Sequence, residues 1–406
     1  MNALQKCWYR TFQVCFKAVS GLLPWRKPEI LEGEGSIFKV GEIIKQKGLK
    51  KAMIVTGPNI SKTNMLDNLY KGLSDNGIEY VVFNKTVQNP TIDVVENALA
   101  EYKANGCQCI VALGCGSSMD SAKAMGARLA RPKKPVPKLK GVLKVMHRLP
   151  LFFAIPTTAG SGSEATIAAV ISDPKTHEKY AINDLNLIPD YAVLEPTLTV
   201  SLRPFTTATT GMDALTHAVE ALVGNSNTKG THADGLKACK LIFENLETAY
   251  KDGADLTARN NMLVGSFYAG CAGCAFTRAY VGYVHALAHQ LGGMYNVPHG
   301  LANAVILPFV LEYYGSAIYK KMAEIADYCG IEAGPTDKEK CEAVIAKIKQ
   351  MNADMDIPTV IPEIKEADIP TMAKRAYAEA NPLYPVPKLM GLEELEAMYR
   401  TLMPKE

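Results

Sequence analysis

Between Lys51 and Ile155 the chain alternates short apolar runs with stretches of helical periodicity, and this alternation constrains the fold more tightly than any other feature of the sequence. The runs are Met53-Ile54-Val55-Thr56, Val81-Val82-Phe83, Ile110-Val111-Ala112-Leu113 and Leu151-Phe152-Phe153-Ala154-Ile155. Strand followed by helix, repeated, requires crossover connections and therefore a parallel sheet. The runs are continuously apolar rather than alternating, as strands covered by helices on both faces must be. Ligands of such a doubly wound sheet sit at the carboxyl ends of the strands.

Past Arg203-Pro204 the β-branched runs give way to Ala-, Leu-, Met- and Glu-rich segments with a period near 3.6, which predicts helices down to the C-terminus. The expected fold is an N-terminal α/β domain with a Rossmann-like parallel sheet, plus an all-α C-terminal domain. The spans are 29–201 and 202–406, with a ligand cleft expected between the halves. Before them, residues 1–28 hold no acid, carry Lys6, Arg10, Lys17, Arg26 and Lys27, and space Leu4, Trp8, Phe12, Phe16, Val19 and Leu23 at helical intervals. This is an amphipathic helical extension. A transit peptide or a membrane-surface helix shares the pattern, and a helix packed on the body or on a partner subunit is the commoner case. Between Arg131 and Arg148, seven Lys or Arg residues with no acid predict a surface loop.

Composition narrows the function classes. With 44 basic against 41 acidic residues among 406 and no long block of one sign, a nucleic-acid partner is not expected. No run reaches the roughly 18 apolar residues of a spanning helix, so no membrane partner is expected either. Ten cysteines without framework spacing read as reduced thiols and a cytoplasmic location. Cys271 and Cys274, a lone C-x-x-C, read as buried helix thiols rather than metal ligands.

Gly114-Cys115-Gly116-Ser117 follows the third apolar run and opens a helix through Ser118, Asp120 and Lys123. Its glycines allow a tight turn and close approach, and the helix N-terminus favours an anion. A second such turn, Pro156-Thr157-Thr158-Ala159-Gly160-Ser161-Gly162-Ser163-Glu164, follows the fourth run and offers hydroxyls at Thr157, Thr158 and Ser161. Two turns on consecutive strand ends point to a dinucleotide. The first run ends in Thr56-Gly57-Pro58-Asn59 without the acid that would hold a ribose 2′-OH, so NADP is tolerated at Gly57.

Four of seven histidines fall in two segments of the helical half. Asp213 and His217 stand at i and i+4, as do His285 and His289, and His299 follows at Pro298-His299-Gly300. One carboxylate oxygen and three imidazole nitrogens drawn from these residues suit Fe²⁺ or Zn²⁺, whereas Ca²⁺ and Mg²⁺ want oxygen.

Taken together, G-x-G-S-x-x-D-x-A-K, P-T-T-A-G-S-G-S-E, G-x-D-A-L-x-H-A-x-E, H-A-x-A-H-x-L-G-G and P-H-G resemble the iron-containing, or group III, alcohol dehydrogenases from about residue 29 onward. The resemblance implies Asp213, His217, His285 and His299 as metal ligands, and His289 for proton relay or substrate positioning. Gly116, Ser117, Thr157 and Thr158 become cofactor contacts, joined by Asn89 and Lys179. Cys115 replaces the middle glycine of the usual G-G-G-S, which is tolerable where no positive φ is needed. Gly57 stands where NAD-preferring members carry an acid, which leans toward NADP. The implied activity is reversible hydride transfer between NAD(P)(H) and a small primary alcohol or aldehyde, with Fe²⁺, or Zn²⁺, polarising the substrate oxygen, in a homodimer. The alternatives are a glycerol dehydrogenase-like Zn²⁺/NAD polyol oxidoreductase and a non-catalytic metal- or nucleotide-binding protein.

Overall fold

All four apolar runs become strands of one sheet in the computed structural model, which describes residues 1–174, 178–273 and 280–404. The strands are β1 (Glu29–Glu32), β2 (Lys51–Val55), β3 (Glu79–Phe83), β4 (Cys109–Gly114), β5 (Gly141–Val142), β6 (Phe152–Pro156), β7 (Ala168–Asp173), β8 (Glu178–Asn183) and β9 (Tyr191–Leu194). Six form a parallel sheet in the order β1-β9-β6-β4-β2-β3. Every residue of β4 and β6 is buried, which is why those runs carry no polar alternation. Met53, Ile110, Ala112 and Phe152 feed one apolar layer with Met119, Ala122 and Met125 of the helix Gly116–Ala130. Ile54, Val111, Leu113 and Phe153 feed the opposite layer with Ile37, Val40 and Leu69. Gly114 pairs with Pro156, so the two glycine-bearing turns leave adjacent strands side by side.

A small second sheet, β5-β8-β7, flanks this core, with β7 and β8 antiparallel. Residues 131–148 lie mostly on the surface, as expected, and the buried Val136, Leu139 and Val145 anchor the connection.

The chain divides into two compact units, Pro24–Ser201, and Leu202–Glu406 together with Met1–Leu23. The segment 1–28 is therefore not one extension. Its helix, Ala3–Gly21, belongs to the helical unit, and Pro24 begins the α/β unit. The helix docks through its polar side. Arg10 donates to the carbonyls of Val386 (2.6 Å) and Pro387 (2.9 Å), Gln13 donates to those of Tyr384 (2.7 Å) and Pro382 (3.1 Å), and Tyr9 bonds Tyr377. Phe16 meets Tyr280 edge-on, while Leu4, Trp8 and Val19 of the expected packing stripe are exposed. Of the C-x-x-C pair, Cys274 lies outside the described residues.

Candidate metal centre and cofactor turns

Three helices of the helical unit build the metal centre. Pro204–Val223 starts on a proline at its first position and is rich in Ala, Leu and Thr; it carries Asp213 and His217 one turn apart, both buried. Tyr283–Tyr295 supplies His285, and His299 opens the helix His299–Tyr314. Gly300 is needed at this crossing, because a Cβ there would lie 2.4 Å from the carbonyl oxygen of Thr209. One donor atom from each of Asp213, His217, His285 and His299 falls within 4.8 Å of every other. Asp213 Oδ1 is 3.7, 3.9 and 3.6 Å from Nε2 of His217, His285 and His299, and the His217 and His285 Nε2 atoms are 3.4 Å apart. Donors on a tetrahedron with bonds of about 2.1 Å stand about 3.4 Å apart, so the set fits a four-coordinate first-row ion.

The surroundings prepare the imidazoles for that role. Glu220, buried and one turn beyond His217, accepts from His285 Nδ1 (2.6 Å) and from the amides of Gly282 and Val284 (both 2.8 Å). The proton of His285 is thereby held on Nδ1, and the Nε2 lone pair points into the donor cluster. Burial, then the neighbouring imidazoles of His217, His299 and His289, push the His285 pKa well below the ordinary value. Desolvation within the donor cluster lowers the His299 pKa against the opposing pull of Asp213, although 41% of its side chain is exposed. Burial raises the Glu220 carboxyl to about 7 against its three donors. Asn303, one turn after His299, donates to Asp213 Oδ1 at 2.7 Å and lies 3.2 and 3.1 Å from Nε2 of His285 and His299.

His289 stands beside this cluster rather than in it. Its ring stacks on His299 at a centroid distance of 5.2 Å, its side chain is 40% exposed, and Nδ1 lies 2.6 Å from Glu379 Oε1. Tyr384 and Gln290 also donate to Glu379.

In the α/β unit the two glycine-bearing turns touch. Thr157 donates its amide to the Gly114 carbonyl at 3.1 Å, and a Cβ at Gly116 would approach Ser161 Oγ to 3.2 Å. Gly114 is required as glycine, with φ +155° and a Cβ that would fall 2.5 Å from Ser118 Oγ. Cys115 sits at φ −79°, so the departure from the usual middle glycine costs no backbone strain. Gly116 and Ser117 open the helix Gly116–Ala130, and Thr158 lies on the second turn beside buried Thr157. Asp120 points under the second turn, where it accepts from the Ser163 hydroxyl at 3.3 Å. Lys123, fully buried, donates to the carbonyls of Ser163 (2.7 Å), Thr166 (2.8 Å) and Ala168 (3.1 Å), so this helix holds the second turn in place.

Asn89, at φ +58°, and Lys179 meet at β7: the Pro90 carbonyl accepts from the Ser172 amide, and Lys179 is the register partner of Ser172. The Thr86 and Ser118 hydroxyls, 3.1 Å apart, tie the Asn89 loop to the start of the glycine-turn helix. Gly57 follows β2, and a Cβ there would meet nothing nearer than Thr86 Oγ1 at 3.6 Å. Space does not exclude a side chain at this position.

Glu220, Asn303, Glu379 and Lys123 were not assigned roles by sequence reasoning. Glu220 and Lys123 stand inside the quoted motifs, three residues after His217 and three after Asp120, and Asn303 repeats the i, i+4 spacing from His299. Glu379, 90 residues from His289, has no sequence signal.

Comparison with known proteins agrees with this geometry. The iron-containing alcohol dehydrogenase family model matches residues 27–196, and that of the C-terminal part of the Fe-containing alcohol dehydrogenase family matches residues 207–403. Alcohol dehydrogenase 4 of Saccharomyces cerevisiae is 39% identical over 352 residues, covering 86% of this chain and 90% of the yeast protein. The NADPH-dependent butanol dehydrogenase of Clostridium saccharobutylicum is 33% identical over 338 residues, covering 82% of this chain and 84% of its own. Among solved structures, a 1,3-propanediol oxidoreductase superposes with a TM-score of 0.89 at 34% identity, covering 94% of this chain and all of that one.

Proposed function

The chain belongs to the iron-containing alcohol dehydrogenase family, and we propose that within it this enzyme reduces small aliphatic aldehydes with NADPH in preference to NADH. It is a metal-dependent oxidoreductase acting on CH–OH groups with iron and a nicotinamide dinucleotide, and the family match favours that activity over a polyol enzyme or a non-catalytic scaffold. The convergence of Asp213, His217, His285 and His299 on one point is the observation that carries the metal chemistry. A divalent ion held there by these four residues would supply Lewis acidity to the alcohol or carbonyl oxygen, and a bound nicotinamide would supply the hydride chemistry.

The protein's own part is to place charge and protons. Asp213 sets a carboxylate beside the imidazoles of His217, His285 and His299, and Glu220 locks the tautomer of His285. In alcohol oxidation the hydroxyl proton leaves as the hydride departs. His289 is the group we assign to pass it outward, since its ring stacks on a ligand ring, is open to solvent and is paired with Glu379. The two glycine turns receive the dinucleotide, with Gly116, Ser117, Thr157 and Thr158 as contacts of its pyrophosphate and nicotinamide and Asn89 and Lys179 on the flanking loop and hairpin. Ten cysteines without framework spacing support a reducing, cytoplasmic setting.

The coenzyme preference rests on Gly57, where no carboxylate repels a 2′-phosphate. Gly57→Asp fits without clash and without positive φ. A carboxylate about 5 Å from the 2′-phosphate costs roughly 1.5–3 kcal/mol of NADPH binding, so the NADPH/NADH ratio of kcat/KM with butanal falls roughly ten- to a hundredfold. A wild-type enzyme that already prefers NADH, or a ratio unmoved in the variant, overturns the preference and leaves the dehydrogenase activity standing.

A further inference from the structure

The helix Ala3–Gly21 is mounted in the reverse of the usual orientation. An amphipathic helix that serves only its own chain buries its apolar side and wets its polar one. Here Gln13 and Ser20 are the buried residues, and Arg10 and Gln13 satisfy four backbone carbonyls of the helical unit. The outward side presents Leu4 (83% exposed), Trp8, Val14, Val19 and Leu22 (86%), with Cys7 and Cys15 exposed among them. At 100° per residue these positions form one stripe along the helix with no charged residue in it. A continuous exposed apolar stripe on a protein surface marks a contact with something apolar.

Charge selects the partner. The helix carries Lys6, Arg10 and Lys17 and no acid, and of these Lys6 and Lys17 are exposed. Lys17 donates to the Asn225 carbonyl, and Lys321 of the helical unit donates to the side chain of the same residue, which concentrates positive charge along one flank of the helix. Two copies meeting through this face would bring two such acid-free segments together. The helix also precedes residue 27, where the family match begins. We propose that the exposed face of Ala3–Gly21 docks the enzyme on an anionic lipid surface. The helix lies in the headgroup plane with Leu4, Trp8, Val19 and Leu22 in the acyl boundary, and the helical unit is carried on its polar side. This is a helix lying on a membrane rather than one crossing it, since no single described helix is long and apolar enough to cross.

The test uses the full-length enzyme in flotation against phosphatidylcholine vesicles with and without phosphatidylglycerol. Each basic residue near an anionic bilayer raises partitioning roughly fivefold, so the protein floats with the mixed vesicles at low salt, less at high salt, and little with phosphatidylcholine alone. The variant Leu4→Gln/Trp8→Gln/Leu22→Gln alters only exposed positions; it loses partitioning by roughly tenfold or more and keeps wild-type alcohol oxidation. In a Trp25→Phe background, Trp8 emission shifts to the blue on adding mixed vesicles. No flotation with anionic vesicles at low salt overturns the proposal, as does flotation the triple variant leaves unchanged. A dimer that dissociates in the triple variant, with no lipid binding by the wild type, assigns the face to a second copy instead.

Discussion

Replacing Glu220 by Gln isolates the residue on which the alignment of the metal donors depends most. Glu220 Oε2 accepts from both His285 Nδ1 and the Gly282 amide, and Oε1 accepts from the Val284 amide. A glutamine of the same shape has one oxygen for three donors. Its best placement keeps that oxygen toward His285 and Gly282 and turns its NH₂ against the Val284 N–H, leaving that buried amide unpaired. The bond to His285 loses its charge assistance, and with it about 1.5–3 kcal/mol of preference for the tautomer that offers Nε2 inward. That corresponds to roughly ten- to a hundredfold weaker binding of Fe²⁺ or Zn²⁺, the usual range for losing a carboxylate behind a ligand histidine. The assay is competition against a chelator of known affinity, with metal content measured directly and the thermal midpoint of the metal-free protein recorded alongside. Glu220→Asp, which keeps the charge but shortens the reach, is expected to recover part of the loss. Metal affinity within twofold of wild type in folded Glu220→Gln refutes the positioning role.

His289→Ala is expected to keep full metal content while lowering kcat for alcohol oxidation roughly ten- to a hundredfold and flattening its pH dependence; full kcat across pH 6 to 9 removes the residue from the proton path. Glu164 is buried beneath the second cofactor turn, and burial raises its carboxyl to about 7. A folded-state carboxyl above its unfolded value of about 4.5 contributes stability that is complete below pH 4.5 and is lost as pH rises through about 7. Glu164→Gln is therefore expected to match wild type in urea at pH 4.5 and to exceed it by up to about 3 kcal/mol at pH 8. A stability difference that does not grow with pH contradicts the buried-carboxyl account.

The central strands were legible because burial on both faces forces continuous apolar runs, as in β4 and β6. β1 was not, since Glu29-Ile30-Leu31-Glu32 is an edge strand with one fully buried residue. In residues 131–148 the many lysines mark the surface but mask three buried aliphatics, Val136, Leu139 and Val145, that anchor the connection. The i, i+4 spacing, a local property, marked Asp213, His217, His285 and His289, but only the family resemblance picked out His299 with the first three as the ligands and set His289 apart. The groups that orient them act across the fold: Glu220 reaches His285 over 65 positions and Asn303 reaches Asp213 over 90. The first helix shows a limit of periodicity itself. Leu4, Trp8 and Val19 mark which side is apolar, but not which side meets the body, and here the polar side does.

The account stands on one bound metal ion per chain held by Asp213, His217, His285 and His299. The measurement that tests it most directly is metal stoichiometry and butanal reduction on anaerobically purified protein, before and after chelation and after Fe²⁺ or Zn²⁺ is returned, for wild type and for each ligand replaced by Ala. Wild type is expected to lose activity with its metal and to regain it best with Fe²⁺, at one ion per chain, while each Ala variant loses metal and activity together. Full turnover by the metal-free enzyme, or one-to-one metal retained by the ligand variants, would contradict it.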